Sequence, residues 1–403
     1  MINLETPKKF KPLAGQAHQV ATEVFRPISR KYDAAEHSYP KELDMLASLI
    51  DGMNEGSDIG ASGATGVRRE SGGDSDGNRN GTNLSTVLGI IELCWGDVGL
   101  LLTMPRQGLG NSAIASVATE EQLERYGGRW AAMAITEPEA GSDSAAIRTT
   151  AELDGDEYVL NGEKIFVTSG DRADLIVVWA TLDRSKGRAA IKSFIVERDN
   201  PGLKLDRLEH KLGIRASDTA NFTLQDCRVP KEALLGGSEI EDKQGFGGAM
   251  QTFDNTRPLV AAMAVGVTRA SLDETRGRLI EAGVEVDYSR PALSQSAAAA
   301  RFLEMEADYE AALLLTLHAA WMADNNRPNS LQASMAKAKA GRTCVDVALG
   351  CVELCGSIGY AENDLLEKWA RDAKILDIFE GTQQIQLLIV ARQLLGKSSA
   401  ELR

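Results

Sequence analysis

Hydrophobic positions along the chain change period twice. Up to about residue 131 they recur at helical spacing. In QAHQVATEVFRPISRKYDAA, Val20, Val24 and Ile28 share one face, and NLSTVLGIIELCWGDVGLLL is apolar enough for a buried helix. From 132 to 240 the period shortens: YVLNGEKIFVTSG, DLIVVWATL and IKSFIVERD are short β-rich runs separated by turn residues. NFTLQDCRVP alternates Phe222, Leu224 and Asp226 with Thr223, Gln225 and Cys227 and stops at Pro230. No helical stretch intervenes, which predicts an antiparallel sheet or small barrel rather than a βαβ sheet. From 241 to 403 the helical period returns: Phe302, Met305, Tyr309, Leu313 and Leu317 form a stripe, followed by SLQASMAKAKAGRTCVDVALGCVELCGSIGY and IQLLIVARQLLG. The expected class is α+β, with a helical domain over 1–131, a β domain over 132–240, a helical domain over 241–403 and no internal repeat.

Composition changes little in this picture. Between the first two helical stretches, Gly56 to Asn83 is crowded with Gly, Ser, Asp and Asn. Such a segment buries too little apolar surface to offset its ordering entropy, and it reads as a loop. Over all 403 residues, 43 % are hydrophobic and 25 % charged, which is ordinary for a globular protein and excludes disorder, collagen or coiled coil as whole-chain descriptions. A net charge of −14 opposes a general nucleic-acid or anionic-membrane binder, which needs a clustered basic field. No run reaches the roughly eighteen apolar residues of a membrane span, and MINLETPKKFKPLAG lacks the apolar core of a secretory signal. Cys94, Cys227, Cys344, Cys351 and Cys355 are odd in number, widely spaced and without a C-x-x-C pair. They read as core thiols of a cytoplasmic protein. With only four histidines in the chain, no metal site is expected. No G-x-G-x-x-G follows a strand, so the usual case for a Rossmann dinucleotide site is missing.

Five stretches carry more than periodicity. AMAITEPEAGSDS (132–144) and RDAKILDIFEGTQQIQ (371–386) resemble the two signatures of the acyl-CoA dehydrogenases. LNGEKIFVTSG (160–170), LGIRASDTANFTLQDCRVP (212–230) and FDNTRPLVAAMAVG (253–266) agree with that family in type and order. The resemblance covers nearly the whole chain. It implies a C-terminal four-helix bundle behind a middle β domain, FAD as cofactor, an acyl-CoA substrate and an electron-transferring flavoprotein as acceptor. A homotetramer or homodimer is the expected assembly, with a hetero-oligomer open.

The resemblance also assigns residues. Met133, Ile135, Thr136, Gly141, Ser142, Phe166, Thr168, Thr382 and Gln384 would contact FAD; Ser142, Asp254, Arg257 and Gly381 would contact substrate. Gly141 would let the backbone approach a bulky ligand. Phe166 would shield one flavin face while the Thr168 hydroxyl meets its reactive edge. Read without the resemblance, I-F-V-T packs Phe166 into a core, E-P-E-A-G-S-D is a polar turn, and Asp254 with Arg257 is an ordinary helix-surface ion pair. Glu380 would be the base that removes the α proton, its carboxylate desolvated among Ile378, Phe379, Gly381 and Thr382. Its own N–H would bond the thioester carbonyl, where charge grows. Some branches of the family carry the base at the position of Thr256, which cannot serve, so the straight-chain arrangement is favoured.

Three departures stand out. The family's Arg-x-x-Phe-Gly segment, whose Arg meets the FAD diphosphate of a neighbouring subunit, is replaced by GRLIEAGVEVDYSRPALSQ, where Arg290 is a candidate substitute. Its Q-x-x-G-G reads Glu353, Gly356 and Ser357, then Gly359 and Tyr360. The 56–83 loop is more polar than the family's. An acyl-CoA oxidase or flavin monooxygenase on the same fold, and a catalytically silent subunit, are the alternative readings.

Overall fold

The computed structural model describes residues 6–55, 80–105, 109–240, 247–398 and 401, the side chains of 49–55 and 247–255 excepted. Most of the expected loop, 56–79, and the side chain of Asp254 therefore lie outside the described residues. At the loop's far end Thr82 and Asn83 already begin a helix.

The N-terminal helices are α1 (Lys11–Val20) and α2 (Arg26–Ala34), joined through a π turn over Ala21–Phe25. They are followed by α3 (Glu42–Glu55), α4 (Thr82–Gly96), α5 (Val98–Leu101), α6 (Leu109–Val117) and α7 (Glu120–Tyr126). Val20, Val24 and Ile28 pack on the core as their spacing predicts. The wider π turn seats Ala21 and Phe25 fully inside it. Thr119 and Gln122 close a reciprocal capping box at the start of α7.

Seven strands make one sheet: β1 (Ala131–Ala134), β2 (Thr150–Asp154), β3 (Glu157–Thr168), β4 (Leu175–Thr181), β5 (Ile191–Glu197), β6 (Leu203–Leu208) and β7 (Thr219–Pro230). The order is β1-β4-β2-β3-β7-β6, with β5 also on β4. Pairing is antiparallel except where β4 meets β1 and β2, which makes the sheet mixed rather than purely antiparallel. All seven residues of β4 are buried, the pattern of a strand covered on both faces. In β7 the expected alternation breaks at Asp226, whose φ of +47° inserts a bulge. Cys227 and Val229, rather than Asp226, then face the core with Leu224.

The C-terminal helices are α8 (Gly247–Glu281), α9 (Ala297–Asp324), α10 (Ser330–Tyr360), α11 (Leu366–Leu376) and α12 (Gln383–Leu395). They share one core with the N-terminal helices: Phe25, Val87 and Ile91 belong to the same apolar cluster as Val265, Phe302, Cys344 and Trp369. α10 is long and apolar enough to cross a membrane by length and composition, but Ala336, Ala340, Cys344 and Ala348 seat it in that core. Near its end Gly356 takes φ +57° and kinks the helix, a conformation that favours glycine. The neighbouring Glu353 is exposed. All five cysteines are free thiols, four of them buried.

Helix α11 ties the N-terminal helices to the β6–β7 loop. Lys368, fully buried, lies 2.8 Å from Asp97 and 2.5 Å from Asp372. Ser29 donates to Asp97, and Asp372 accepts the Ile214 N–H at 2.5 Å. Arg371 pairs with Asp33 at 2.6 Å and Glu367 at 2.8 Å. Charges taken out of water are stable only when paired in this way, so the cluster fixes α2, α11 and the β6–β7 loop in one relative placement.

Candidate active site

Glu380 sits on the turn between α11 and α12. Its φ is +57° and that of Gly381 is +92°. The second suits glycine, while the first is a strained conformation for glutamate and must be held by its surroundings. Gln386, fully buried in α12, donates from Nε2 to the carbonyls of Glu380 at 3.0 Å and Gly381 at 3.2 Å. Lys337, fully buried in α10, donates from Nζ to the Gly381 carbonyl at 2.7 Å. Thr382 caps α12 through the Ile385 N–H.

This turn brings the Glu380 carboxylate to α8, where the Thr256 hydroxyl donates to Oε2 at 2.8 Å across 124 residues of sequence. The residue as a whole is half-buried, but its carboxyl end is desolvated. Burial lifts that carboxyl above its ordinary range, opposed by the Thr256 hydroxyl and the charges of Arg257 and Lys337. Burial in turn pulls Lys337 down to about 8, against the attraction of Asp377 and Glu380. A desolvated carboxylate with raised proton affinity is suited to abstract a weakly acidic proton.

A second set forms where β1 runs out beside β3. The Ile165 N–H donates to the Thr136 carbonyl at 2.9 Å, and Lys164, fully buried, reaches Glu137 at 2.7 Å and the Ile135 carbonyl at 3.2 Å. Glu137 also accepts from Arg148 N (2.6 Å), Thr149 N (3.0 Å) and Thr149 Oγ1 (2.5 Å). The acid of I-T-E-P is thus the strut of its own turn. Ile135 is buried with Trp179 and Ile191, and Met133 packs beside them.

Phe166 lies on a β-bulge with φ +58° and is 59 % exposed, so it is not a core side chain. Its N–H is fixed by Asn221 at 3.1 Å. Thr168 is half-buried, and Gly141 and Ser142 are exposed. A Cβ at Gly141 would meet nothing within 4 Å, so the chain itself imposes no need for glycine there. An exposed aromatic ring, a hydroxyl two residues on and an open backbone edge at 141–142 fit a large planar cofactor with a polar tail.

Beside Arg257, which is 3 % exposed, a cavity of about 270 Å³ is lined also by Ser330, Ile389, Arg392, Gln393, Gly396 and Lys397. Three cationic residues in one pocket suit an anionic ligand. Thr382 and Gly381 adjoin Glu380, whereas Gln384 is exposed on α12. Arg290 bonds the Ser294 carbonyl in its own exposed loop at 2.7 Å. Sequence reading passed over Lys337, Gln386, Lys164, Arg392 and Lys397. Even Lys337 stands in ASMAKAKAGRT beside Lys339 and Arg342, and nothing in that spacing sets it apart.

Two family models match the chain: the acyl-CoA dehydrogenase middle domain over residues 132–227 and the acyl-CoA dehydrogenase C-terminal domain over 243–395. A short-chain-specific acyl-CoA dehydrogenase of Clostridium acetobutylicum is 35 % identical over 78 % of this chain and 83 % of that protein. A subunit of the caffeyl-CoA reductase–Etf complex of Acetobacterium woodii is 34 % identical over 80 % of this chain and 85 % of its own length. The structure of butyryl-CoA dehydrogenase from Megasphaera elsdenii superposes with a TM-score of 0.81 at 30 % identity, covering 98 % of this chain and all of that one.

Proposed function

The chain belongs to the acyl-CoA dehydrogenase family, and from that premise we propose that it oxidises a short straight-chain acyl-CoA to the 2-enoyl-CoA, with Glu380 as the base and an electron-transferring flavoprotein as acceptor. The observation that carries this reading is the Glu380 carboxylate, desolvated on a left-handed turn and hydrogen-bonded to Thr256. FAD, when bound, supplies the two-electron oxidant. Phe166, Thr168, Met133, Ile135 and Thr136, with the backbone at Gly141 and Ser142, would hold it.

Glu380 takes the α proton onto its carboxylate, and its N–H meets the thioester oxygen where negative charge grows. Lys337 and Gln386 act through the backbone, orienting that N–H by fixing the adjacent carbonyls. Arg257, Arg392 and Lys397 receive the anionic end of CoA, a local attraction that offsets the net charge of −14. Asp254 is proposed beside them from the motif alone.

The short-chain assignment rests on the Clostridium and Megasphaera relatives, and the acceptor on the Acetobacterium complex. Exposed Leu349, Ile358, Tyr360, Leu387, Leu394 and Leu395 on α10 and α12 support a homo-oligomer built on the C-terminal helices. Free thiols throughout support the cytoplasm. The test is flavin reduction by a series of acyl-CoAs without oxygen. Butyryl-CoA should react fastest, and preference for a long or branched chain would overturn the assignment.

Lys337→Met removes a positive charge facing Glu380 and one tie on its turn. The acid limb of the kcat profile, set by a carboxyl that burial already raises, should move to higher pH, with kcat on that limb falling roughly tenfold or more. A uniform loss at every pH would leave Lys337 a purely structural role. Phe166→Ala, at an exposed site, should change stability by no more than about 0.5 kcal/mol while weakening flavin retention, read as flavin per chain after gel filtration.

A further inference from the structure

Away from Glu380, three side chains able to ligate a metal converge where the chain leaves α2 and where it passes from β6 to β7. Glu36, His37 and His210 present one ligand atom each, all within 4.8 Å of one another. The two imidazole rings lie 4.8 Å apart, edge to face at 61°. His210 Nδ1 is 2.9 Å from Glu36 Oε2, and Glu36 Oε1 accepts the Lys211 N–H at 2.8 Å, which fixes the carboxylate.

His37 supplies the independent observation. Both its ring nitrogens are shielded from solvent and have no hydrogen-bond partner, although a neutral imidazole carries one donor and one acceptor that burial leaves costly when unmet. Its backbone is left-handed as well, with φ +69°, a strain that persists only where the surroundings enforce it. The Lys211 ammonium is engaged by the Ser217 carbonyl at 2.6 Å.

The geometry points to a divalent-cation site of the zinc class, with His37, His210 and Glu36 as ligands and the fourth position open to water. Two imidazoles and a carboxylate suit Zn²⁺ and its first-row neighbours better than Mg²⁺ or Ca²⁺, which favour all-oxygen shells. Tetrahedral bonds of about 2.0–2.2 Å put ligand atoms about 3.4 Å apart, so the 2.9 Å His210–Glu36 pair must open slightly and the longer separations must shorten. The His210 side chain, 82 % exposed, has room on its solvent side to turn for that, exchanging its direct contact with Glu36 for the shared ion. The ion would clip the end of α2 to the loop that leads into β7, whose Thr219 pairs with Thr168.

The test uses the full-length protein, stripped with a chelator, dialysed and titrated with Zn²⁺ against a chromophoric competitor. Wild type should take up one equivalent. His37→Ala and His210→Ala should each weaken that uptake by at least about tenfold, with far-ultraviolet circular dichroism unchanged. Uptake as tight in both variants as in wild type, as binding at the free thiols would give, overturns the site. So does the absence of stoichiometric uptake by wild type.

Discussion

Glu380→Gln should slow flavin reduction by acyl-CoA by about 10³-fold or more, on the order of 4 kcal/mol of barrier, while the protein keeps its flavin and binds acyl-CoA. The amide is nearly isosteric and can still accept from the Thr256 hydroxyl, which now holds Oε2 at 2.8 Å. Backbone geometry survives because Gln386 and Lys337 grip carbonyls rather than the side chain. Only the proton acceptor is lost. A stopped-flow record of the flavin absorbance after mixing with butyryl-CoA reads the effect, and an undiminished rate would remove Glu380 from the role of base.

Lys164→Met should cost about 3–5 kcal/mol of stability, because it leaves Glu137 buried without its cation. Lys164 is fully buried, and burial lowers its ammonium to about 8 against the pull of Glu137. Glu137 is itself held below the ordinary carboxylate value: burial pushes it up, but the Lys164 charge and hydrogen bonds from Lys164, Thr149 and Arg148 outweigh that. The sign of the pH dependence follows. A depressed carboxylate stabilises above its ordinary value of 4.5 and loses that contribution as pH falls through its folded value. The deficit of Lys164→Met should therefore be largest near neutrality and shrink on acidification, since a protonated Glu137 needs no cation. Lys164→Met combined with Glu137→Gln should recover much of the loss. Because the pair anchors Ile135 and Thr136, the single variant should also lose flavin, and thermal unfolding with flavin content measures both.

The β block was legible because its runs are short, β-branched and bounded by turns, and the helices because their apolar stripes keep step over many residues. What escaped is non-local or conformational. Nothing in NFTLQDCRVP shows that Asp226 adopts a positive φ and exchanges its core position with Cys227. Phe166 read equally well as a core residue until its bulge turned it outward. The Thr256–Glu380 contact spans 124 residues, and no local pattern encodes it. The positions of these two residues nonetheless carried a clue: Thr256, at the place where the resemblance puts the base of other branches, touches Glu380, the base proposed here. Gly141 is the reverse case, since its expected need for glycine finds no cause within the chain and would have to come from a ligand.

Removal of an α proton from acyl-CoA by Glu380 is the step on which the proposed chemistry depends. Hydrogen exchange at that carbon isolates the step from electron transfer. In heavy water without oxygen, the flavin-loaded wild type should exchange the α hydrogens of butyryl-CoA and lose its flavin absorbance, and Glu380→Gln should do neither. Exchange at the wild-type rate in Glu380→Gln, or a flavin-loaded wild type that neither exchanges nor bleaches, would contradict it.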